Sequence, residues 1–307
     1  MKILRRAHPD RDTALALGSF DGVHLGHRAM FTRVREAAGE RGLAAGALTF
    51  EPLPREHFAP AQAPPRLASL TEKVAAIAAC GLDTAIVERF DARFASLTPA
   101  EFARRLRDQH RARWVMVGSD FRYGARRLGD VASLVESGRA LGFEVEVMPA
   151  VTVDGERVSS TAVREALANA DLERAAHLLG RPYAICGRVL HGAKRGRALG
   201  FPTANVRLAR GKPALAGIFA VKCFGAATRG LEGVASLGTN PAVQRGGPAT
   251  LEAFLFDFSG DLYGRRLTLE FVKKLRDEAD FASLEALSEQ IARDCEAARA
   301  HFRATRA

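Results

Sequence analysis

Strand and helix patterns alternate through the first half of the chain. Apolar runs predict strands at residues 15–17, 42–50, 84–87, 114–117 and 143–148. Between these runs, apolar residues recur at helical spacing, first over residues 29–37 and later over 71–80, 98–109 and 131–141. Strands that alternate with helices are typical of a doubly wound α/β fold, so we expect a parallel sheet.

The pattern changes in the second half. Short apolar stretches at residues 184–190, 217–224, 233–237, 251–258 and 267–272 are separated by Gly, Pro and Asn clusters, without an intervening helix. This spacing predicts an antiparallel β-barrel or sandwich. One amphipathic helix, over residues 283–302, closes the chain. We place the domain boundary at the Gly180–Tyr183 turn, which gives domains 1–181 and 182–307.

Composition narrows the class of protein. The 307 residues are 47% hydrophobic, no apolar run has the length of a membrane span, and the four cysteines are scattered. We therefore expect a protein of the reducing cytoplasm. The net charge of +10 fits phosphorylated substrates as well as nucleic acid. The densest basic run, residues 104–113, has the apolar spacing of one amphipathic helix, so a nucleic-acid partner is disfavoured.

A glycine-rich turn joins the first predicted strand to the first helix. It contains His24, Gly26 and His27. A helix N-terminus offers unpaired N–H groups to an anion, Gly26 leaves room for a phosphate, and the two histidines can donate hydrogen bonds to it. The pattern predicts a site for attack on the α-phosphate of a nucleotide. A surface role or a metal site is the alternative, although only Asp21 offers a further ligand nearby.

Three later segments could contribute residues to the same nucleotide site as this turn. The Pro-containing segment 51–55, predicted to be a rigid loop, and the polar segment 118–124 both follow strands, where ligands bind parallel sheets. Ser160, Thr161 and Arg164 lie at a predicted helix start. They are either ordinary capping residues with an exposed arginine or a clamp for the β- and γ-phosphates of ATP, and the loop context favours the clamp.

The barrel region contains a second group of chemical residues. A basic loop with Gly196 and Gly200 can wrap phosphates with backbone N–H groups. Thr203 and Asn205 point the same way on an extended strand and suit Mg²⁺ held against phosphate. Glu252, among apolar neighbours, suits a general base, although a solvent-facing strand glutamate is the commoner case.

These motifs together resemble the bifunctional bacterial riboflavin kinase/FMN adenylyltransferase family, also called FAD synthetase. The resemblance covers nearly the whole chain. Its segments are GSFDGVHLGH at 18–27, TFEP at 49–52, GSDFRYG at 118–124, SST at 159–161 with Arg164, GFPTAN at 200–205, LGTNP at 237–241, FDF at 256–258 and DLYG at 261–264.

The resemblance implies a Rossmann-like domain of the nucleotidyltransferase type followed by a kinase barrel with a C-terminal helix. It implies that the barrel phosphorylates riboflavin to FMN with Mg-ATP and that the first domain adenylylates FMN to FAD, releasing pyrophosphate. No membrane partner and at most a weak oligomer are expected.

The resemblance also implies residue roles. They are catalysis by His24, His27, Arg164 and Glu252; ATP or phosphate binding by Gly18, Phe20, Gly22, Gly26, Ser160, Thr161, Gly196, Gly200 and Pro202; a substrate pocket at Asp120, Phe121 and Asn205; and Mg²⁺ at Thr203 and Asn205.

The chain departs from the family pattern at two positions. Leu53 stands where the family commonly has His, and Ala242 stands where it commonly has Thr. Three alternatives stay open on the sequence: one active domain with the other degenerate, a flavin-sensing protein that binds nucleic acid, and nucleotidyl transfer to another phosphorylated acceptor.

Overall fold

The computed structural model describes residues 1–5, 8–192, 200–209, 212–238 and 249–306. Contacts divide the chain into two units: Met1–Pro64 with Leu70–Ser160, and Pro65–Ser69 with Thr161–Ala307. In the described ranges, no helix combines the length and the apolar character needed to cross a membrane.

A six-stranded parallel sheet in the order β1-β4-β3-β2-β5-β6 forms the first unit, which confirms the predicted parallel sheet and its five predicted strands and adds β1 at one edge. The strands are β1 (Lys2–Leu4), β2 (Thr13–Leu17), β3 (Ala44–Glu51), β4 (Thr84–Arg89), β5 (Ala112–Gly118) and β6 (Glu144–Met148). The helices are α1 (Leu25–Arg41), α2 (Pro54–Phe58), α3 (Leu70–Ala79), α4 (Ala92–Ala95), α5 (Pro99–Asp108) and α6 (Val131–Leu141). A small hairpin of β7 (Thr152–Val153) and β8 (Glu156–Arg157) precedes α7 (Ser160–Ala168).

Helices cover both faces of this sheet, which explains the continuous apolar runs of its central strands. All five positions of β2 are buried. On one face, Phe31 and Val34 of α1 pack against the sheet. On the other face, Phe102 and Leu106 of α5 pack against it. The carboxyl ends of β2, β3 and β5 therefore lead into the turns that the sequence singles out.

One local prediction needs correction, and one strand was not predicted. The rigid loop predicted at 51–55 is wrong in part, because β3 continues to Glu51 and α2 begins at Pro54. Proline is compatible with the first turn of a helix, where its missing N–H removes no hydrogen bond. Strand β1 has no apolar alternation, since its residues are mostly exposed at the sheet edge and it pairs only with β4.

The second unit contains a closed antiparallel barrel in the order β10-β13-β12-β11-β14-β9, which confirms the predicted barrel. Its strands are β9 (Ala184–Leu190), β10 (Ala204–Val206), β11 (Gly217–Phe224), β12 (Leu231–Gly238), β13 (Thr250–Leu255) and β14 (Arg266–Arg276). Helix α8 (Leu172–Leu179) precedes the barrel and α9 (Leu284–Ala304) follows it. Helix α9 packs Cys295, Ala298 and Phe302 against the outer barrel face.

A short segment from early in the chain also belongs to the second unit. Residues 65–69 are grouped with it, and Arg66 forms an isolated parallel bridge with Pro213. The Nε of Arg164 donates a hydrogen bond of 2.7 Å to the carbonyl of Pro65. These contacts attach residues 65–69 to Arg164 and Pro213, which lie much later in the sequence.

Candidate active sites

The turn between β2 and α1 places two histidines against each other. His24 is the N-cap of α1, and its Nδ1 accepts a hydrogen bond of 3.3 Å from the backbone N–H of His27. The two imidazole rings stack with centroids 3.6 Å apart and planes 16° apart. Because Nδ1 of His24 is an acceptor, a neutral His24 carries its proton on Nε2.

The backbone of this turn allows aromatic rings to pack closely against it. Phe20, Gly22 and Val23 all have positive φ angles, of 47°, 84° and 45°. Such conformations cost energy for non-glycine residues and are often retained at functional sites. A Cβ at Gly26 would lie 3.2 Å from Cε1 of His24, and a Cβ at Gly18 would lie 2.8 Å from Cε1 of Phe20. These two glycines let the rings of His24 and Phe20 pack against the backbone.

The environment of His27 keeps its ring uncharged. Burial, together with the positive charges of His24 and Lys73, holds the pKa of His27 well below its usual value of 6.5. In the described part of the chain, Nδ1 of His27 has no hydrogen-bond partner. Lys73 is fully buried, and its Nζ donates to Thr49 Oγ1 at 3.2 Å. A neutral imidazole beside a buried ammonium suits an anionic ligand.

The start of α7 contributes one residue to this turn. Ser160 Oγ donates a hydrogen bond of 2.9 Å to the carbonyl of Asp21. Thr161 and Arg164 follow in the same helix but belong to the second unit. The structure therefore brings His24 and His27 together and attaches Ser160 to the same turn through Asp21, within the first unit.

The loop after β5 carries the predicted pocket residues. Asp120 is exposed, and its carboxylate lies 3.7 Å from Nη2 of Arg157. Phe121 stacks on Tyr123 with ring centroids 5.7 Å apart. Tyr123 in turn lies 5.1 Å from Phe102. These contacts extend the loop into a larger group of rings.

That group, which we call the aromatic cluster, spans the ends of β3, β4 and β5 with the helices that follow them. Adjacent rings lie 5.1 to 6.1 Å apart. Its members are Phe50, Phe58, Phe90, Phe94, Phe102, Phe121 and Tyr123. Phe58 is 64% exposed, so the cluster presents an apolar surface to solvent.

A buried ion pair fixes one side of the aromatic cluster. Arg105 of α5 donates from Nε and Nη2 to the two carboxylate oxygens of Glu88, at 2.7 and 3.0 Å. His110 lies 2.7 Å from the same carboxylate. Although burial opposes the charge, hydrogen bonds to His110 and Arg105 lower the pKa of Glu88 to about 2. The pair attaches β4 to α5, which orients Phe90 relative to Phe102.

In the second unit, three of the predicted residues meet on the outer face of the barrel. Asn205 pairs with Glu252 across β10 and β13. Thr203 Oγ1 donates a hydrogen bond of 3.1 Å to Glu252 Oε2. A Cβ at Gly192 would lie 2.3 Å from Asn205 Nδ2, so the amide packs directly on that glycine. A hydroxyl, an amide and a carboxylate therefore share one surface.

Several singled-out residues flank this group or lie outside the described residues. Gly200 has a φ of 82° and precedes Pro202 and Thr203 in the connection to β10. Gly196 and Ala242 fall outside the described residues. Leu53 is buried as the N-cap residue of α2, where its backbone N–H donates to Glu56 at 2.9 Å.

Comparisons with known proteins match both units. The profile of FAD synthetase matches residues 6–162, and the profile of riboflavin kinase matches residues 179–302. The chain is 44% identical over its whole length to the bifunctional riboflavin kinase/FMN adenylyltransferase of Escherichia coli strain K12, covering 99% of that protein. It is 47% identical to the protein of the same name from Pseudomonas fluorescens, with 98% and 97% of the two chains covered. The chain belongs to the bifunctional riboflavin kinase/FMN adenylyltransferase family.

Membership settles the order of the two activities along the chain. The FMN adenylyltransferase occupies the N-terminal part and the riboflavin kinase the C-terminal part. Matches to both profiles support the bifunctional interpretation rather than one active domain with a degenerate partner. A crystal structure described as a macrolide-efflux protein from Streptococcus pneumoniae superposes with a TM-score of 0.80 and 28% identity, covering 97% of this chain and 99% of that one.

The first unit, which we call the adenylyltransferase unit, and the second, which we call the kinase unit, carry the two activities. The sequence did not indicate two features of the adenylyltransferase unit. Lys73 lies in a helix, where a lysine ordinarily faces solvent, and only the fold shows its burial. The aromatic cluster is assembled from four separate segments, so no local spacing indicates it. The one available signal is composition, since the chain has 18 phenylalanines but only three tyrosines and one tryptophan.

The depressed pKa of His27 predicts a pH-dependent stability of the adenylyltransferase unit. Below pH 6.5 the unfolded chain binds a proton that the folded ring excludes. The stabilisation that comes from the neutral His27 ring is therefore fully present above that pH. As the pH falls from 6.5 towards the pKa of the folded state, the free energy of unfolding decreases by up to about 1.4 kcal/mol per pH unit. Urea unfolding between pH 5 and 8 measures this slope for the wild type and for His27→Asn.

His27→Asn removes the group that binds this proton. We therefore expect the free energy of unfolding to depend less steeply on pH, by an amount that corresponds to at most one bound proton. Replacement of the exposed His8 by asparagine serves as the control and should leave the slope nearly unchanged. Equal slopes for the wild type and His27→Asn would show that His27 titrates normally in the folded protein.

Proposed function

We propose that the His24–His27 turn binds the α-phosphate of ATP during adenylyl transfer. The stacked imidazole pair at the start of α1, with His27 held neutral, supports this assignment. A phosphate oxygen of FMN attacks the α-phosphorus, and the bond to the pyrophosphate oxygen breaks, so FAD and pyrophosphate form. The FMN phosphate is already ionised near neutral pH, so catalysis consists of alignment and charge stabilisation.

Backbone groups of the same turn bind the nucleotide in this proposal. Gly18, Phe20, Gly22 and Gly26 shape the loop, and positive φ angles such as those of Phe20 and Gly22 occur in turns whose backbone N–H groups bind anions. Ser160, Thr161 and Arg164 interact with the departing pyrophosphate. The hydrogen bond from Ser160 to Asp21 supports the first of these roles, and the charge of Arg164 suits the third.

The flavin ring of FMN is assigned to the aromatic cluster together with Asp120 and Phe121. An isoalloxazine ring is flat and largely apolar, and stacked or edge-on aromatic side chains bind such rings well. The exposed ring of Phe58 and the half-buried ring of Phe121, which stacks on the buried Tyr123, are the parts of the cluster open to such a ligand. Asp120 supplies an exposed carboxylate beside it for hydrogen bonding.

In the kinase unit, Glu252 is the general base. It takes the proton of the ribityl 5′-hydroxyl, whose oxygen attacks the γ-phosphorus of ATP, and ADP leaves as FMN forms. Its hydrogen bond with Thr203 fixes the carboxylate orientation. The Gly200–Pro202 connection, with Gly196, interacts with the phosphates.

Thr203 and Asn205 suit Mg²⁺, because hard cations prefer oxygen ligands and Mg²⁺ commonly takes only one or two of them from the protein. The hydroxyl and amide oxygens on one face of the barrel fit this chemistry. A bound Mg²⁺ would neutralise phosphate charge. We also propose a cytoplasmic monomer or weak oligomer that uses riboflavin, FMN and ATP without a nucleic-acid partner.

A single reaction tests both assignments. Riboflavin, ATP and Mg²⁺ are incubated with the protein, and the flavins are separated by chromatography over time. FMN that appears first and then gives way to FAD is the expected result. FMN alone would contradict the adenylyltransferase assignment, and no conversion would contradict the kinase assignment. A parallel reaction that starts from FMN isolates the second step.

A further inference from the structure

A buried lysine is connected to the turn between β2 and α1. Lys73 of α3 is fully buried, whereas the chain favours arginine as its cation, with 38 arginines and seven lysines. Burial of an ammonium is costly, and lysine is almost never fully buried unless it is paired. An ammonium is a compact charge, whereas a guanidinium is a wide planar group. A buried lysine in an arginine-rich chain therefore indicates a place that needs a compact positive charge.

The contacts of Lys73 lead to the backbone of the turn. Its Nζ donates to Thr49 Oγ1 at 3.2 Å and to the carbonyl of Phe50 at 3.5 Å. Thr49 is fully buried in β3, and its hydroxyl donates a hydrogen bond of 3.1 Å to the carbonyl of Ser19. Because an ammonium can only donate, Thr49 accepts from Lys73 and its one proton goes to Ser19. We call this series of contacts the Lys73–Thr49–Ser19 chain.

Ser19 lies next to a strained position of the turn. Phe20 follows it with a φ of 47°, and the ring of Phe20 lies edge-on to that of His27 with centroids 5.1 Å apart. A conformation of this kind persists only where surrounding contacts hold it in place. The hydrogen bond from Thr49 to Ser19 is such a contact, one residue away. The Lys73–Thr49–Ser19 chain therefore helps to fix the backbone on which His27 packs.

The charge of Lys73 also acts on the imidazole pair. After burial and the charge of His24, it is the third cause that lowers the pKa of His27. The field that opposes a second proton on His27 attracts a phosphate oxygen, and it is stronger in a protein interior than in water. Since Lys73 is fully buried, it acts on a ligand through this field and through Thr49, without direct contact.

We infer that Lys73 is a positioning residue for adenylyl transfer, which fixes the turn through Thr49 and favours phosphate binding there by its buried charge. This inference rests on the proposed binding of the α-phosphate of ATP by the His24–His27 turn. Lys73 takes no proton and touches no reacting atom. Its effect is confined to the phosphates of the nucleotide, and the nucleoside part does not depend on it.

The first test removes the charge. Lys73→Met keeps the approximate length of the side chain without the ammonium. In FAD formation from supplied FMN, we expect kcat/KM for ATP to fall by a factor of about 10 to 100, since a hydrogen bond from a charged group is lost. Lys2→Met removes an exposed lysine of the same unit and should behave as wild type. FMN formation from riboflavin and the melting temperature report whether the variants fold.

Two inhibitors distinguish an effect on phosphate binding from a general loss of structure. Tripolyphosphate carries the phosphates of ATP without the nucleoside, and adenosine carries the nucleoside without phosphates. At a fixed concentration of free Mg²⁺, the inhibition constant of tripolyphosphate in FAD formation should rise about tenfold or more in Lys73→Met, whereas that of adenosine should stay at its wild-type value. Equal weakening of both inhibitors would overturn the inference, and so would an unchanged kcat/KM for ATP.

Substitutions of Thr49 test the same chain with the lysine in place, so they decide the matter even if Lys73→Met does not fold. Thr49→Val removes the hydroxyl, keeps the shape of the side chain and should lower kcat/KM for ATP. Thr49→Ser returns the hydroxyl and should restore the wild-type value. Wild-type kinetics in Thr49→Val would contradict the role of the Lys73–Thr49–Ser19 chain.

The double variant Lys73→Met/Thr49→Val tests whether the two residues act together. Because they belong to one hydrogen-bonded chain, its loss of kcat/KM for ATP should be smaller than the product of the two single losses. Independent, multiplying losses would overturn the inference. If Lys73→Met and Thr49→Val are both fully active while His27→Ala forms no FAD, the inference fails and the proposed function stands.

Discussion

Replacing His27 with alanine is expected to abolish FAD formation while riboflavin phosphorylation continues. The substitution removes one imidazole of the stacked pair at the start of α1, and with it the hydrogen-bond donor that we propose for the developing charge on the α-phosphate. Loss of one such donor in a preorganised site typically costs a factor of about 10² to 10³ in rate. Chromatographic assay of FAD from supplied FMN and ATP measures the loss, and FMN formation from riboflavin measures the retained activity.

The retained kinase activity also serves as a folding control for His27→Ala. His8→Ala removes an exposed histidine from the same unit and should leave both activities at the wild-type level. If His27→Ala produced FAD at the normal rate, the turn would have no catalytic role. If FMN formation also stopped in a folded variant, the two activities would not be assigned to separate sites.

Replacing Glu252 with glutamine is expected to have the opposite effect. Glutamine preserves the size of the side chain and an oxygen that accepts from Thr203, but it cannot take a proton from the ribityl hydroxyl. General-base catalysis typically contributes a factor of about 10² to 10⁴, so FMN formation should fall by that amount. FAD formation from supplied FMN should be unchanged.

Glu270 provides the matched control for Glu252. It is another half-buried carboxylate on a barrel strand, β14, and burial raises its pKa. Glu270→Gln should leave both activities intact, because it changes a strand carboxylate without touching the group around Thr203. Residual FMN formation near the wild-type rate in Glu252→Gln would exclude Glu252 as the base.

The layered architecture was predictable because burial on both sides of a sheet leaves a strong pattern. Strand β2 is buried along its entire length and apolar after Thr13, and the strands of the barrel are separated by turn-forming residues. Strand β1 lacks such a pattern because it is an exposed edge. The helix at Pro54 was missed because proline breaks helices in their interior but begins them readily.

The relative positions of candidate site residues were predictable where those residues lie within one short motif. His24 and His27 are three residues apart, and Thr203 and Asn205 are two residues apart, so their local geometry follows from the element that carries them. Lys73 depends on contacts with distant segments, because its burial is a consequence of tertiary packing.

The bridge between Arg66 and Pro213 has a consequence for synthesis and for dissection of the protein. Residues 65–69 leave the ribosome long before Pro213 is translated, so this part of the kinase unit can reach its native contacts only after most of the chain has been made. Such non-local contacts slow folding, because the entropy of a long loop must be lost before the contact forms. A kinase fragment cut at residue 182 would lack this segment, and with it the partner of Pro213.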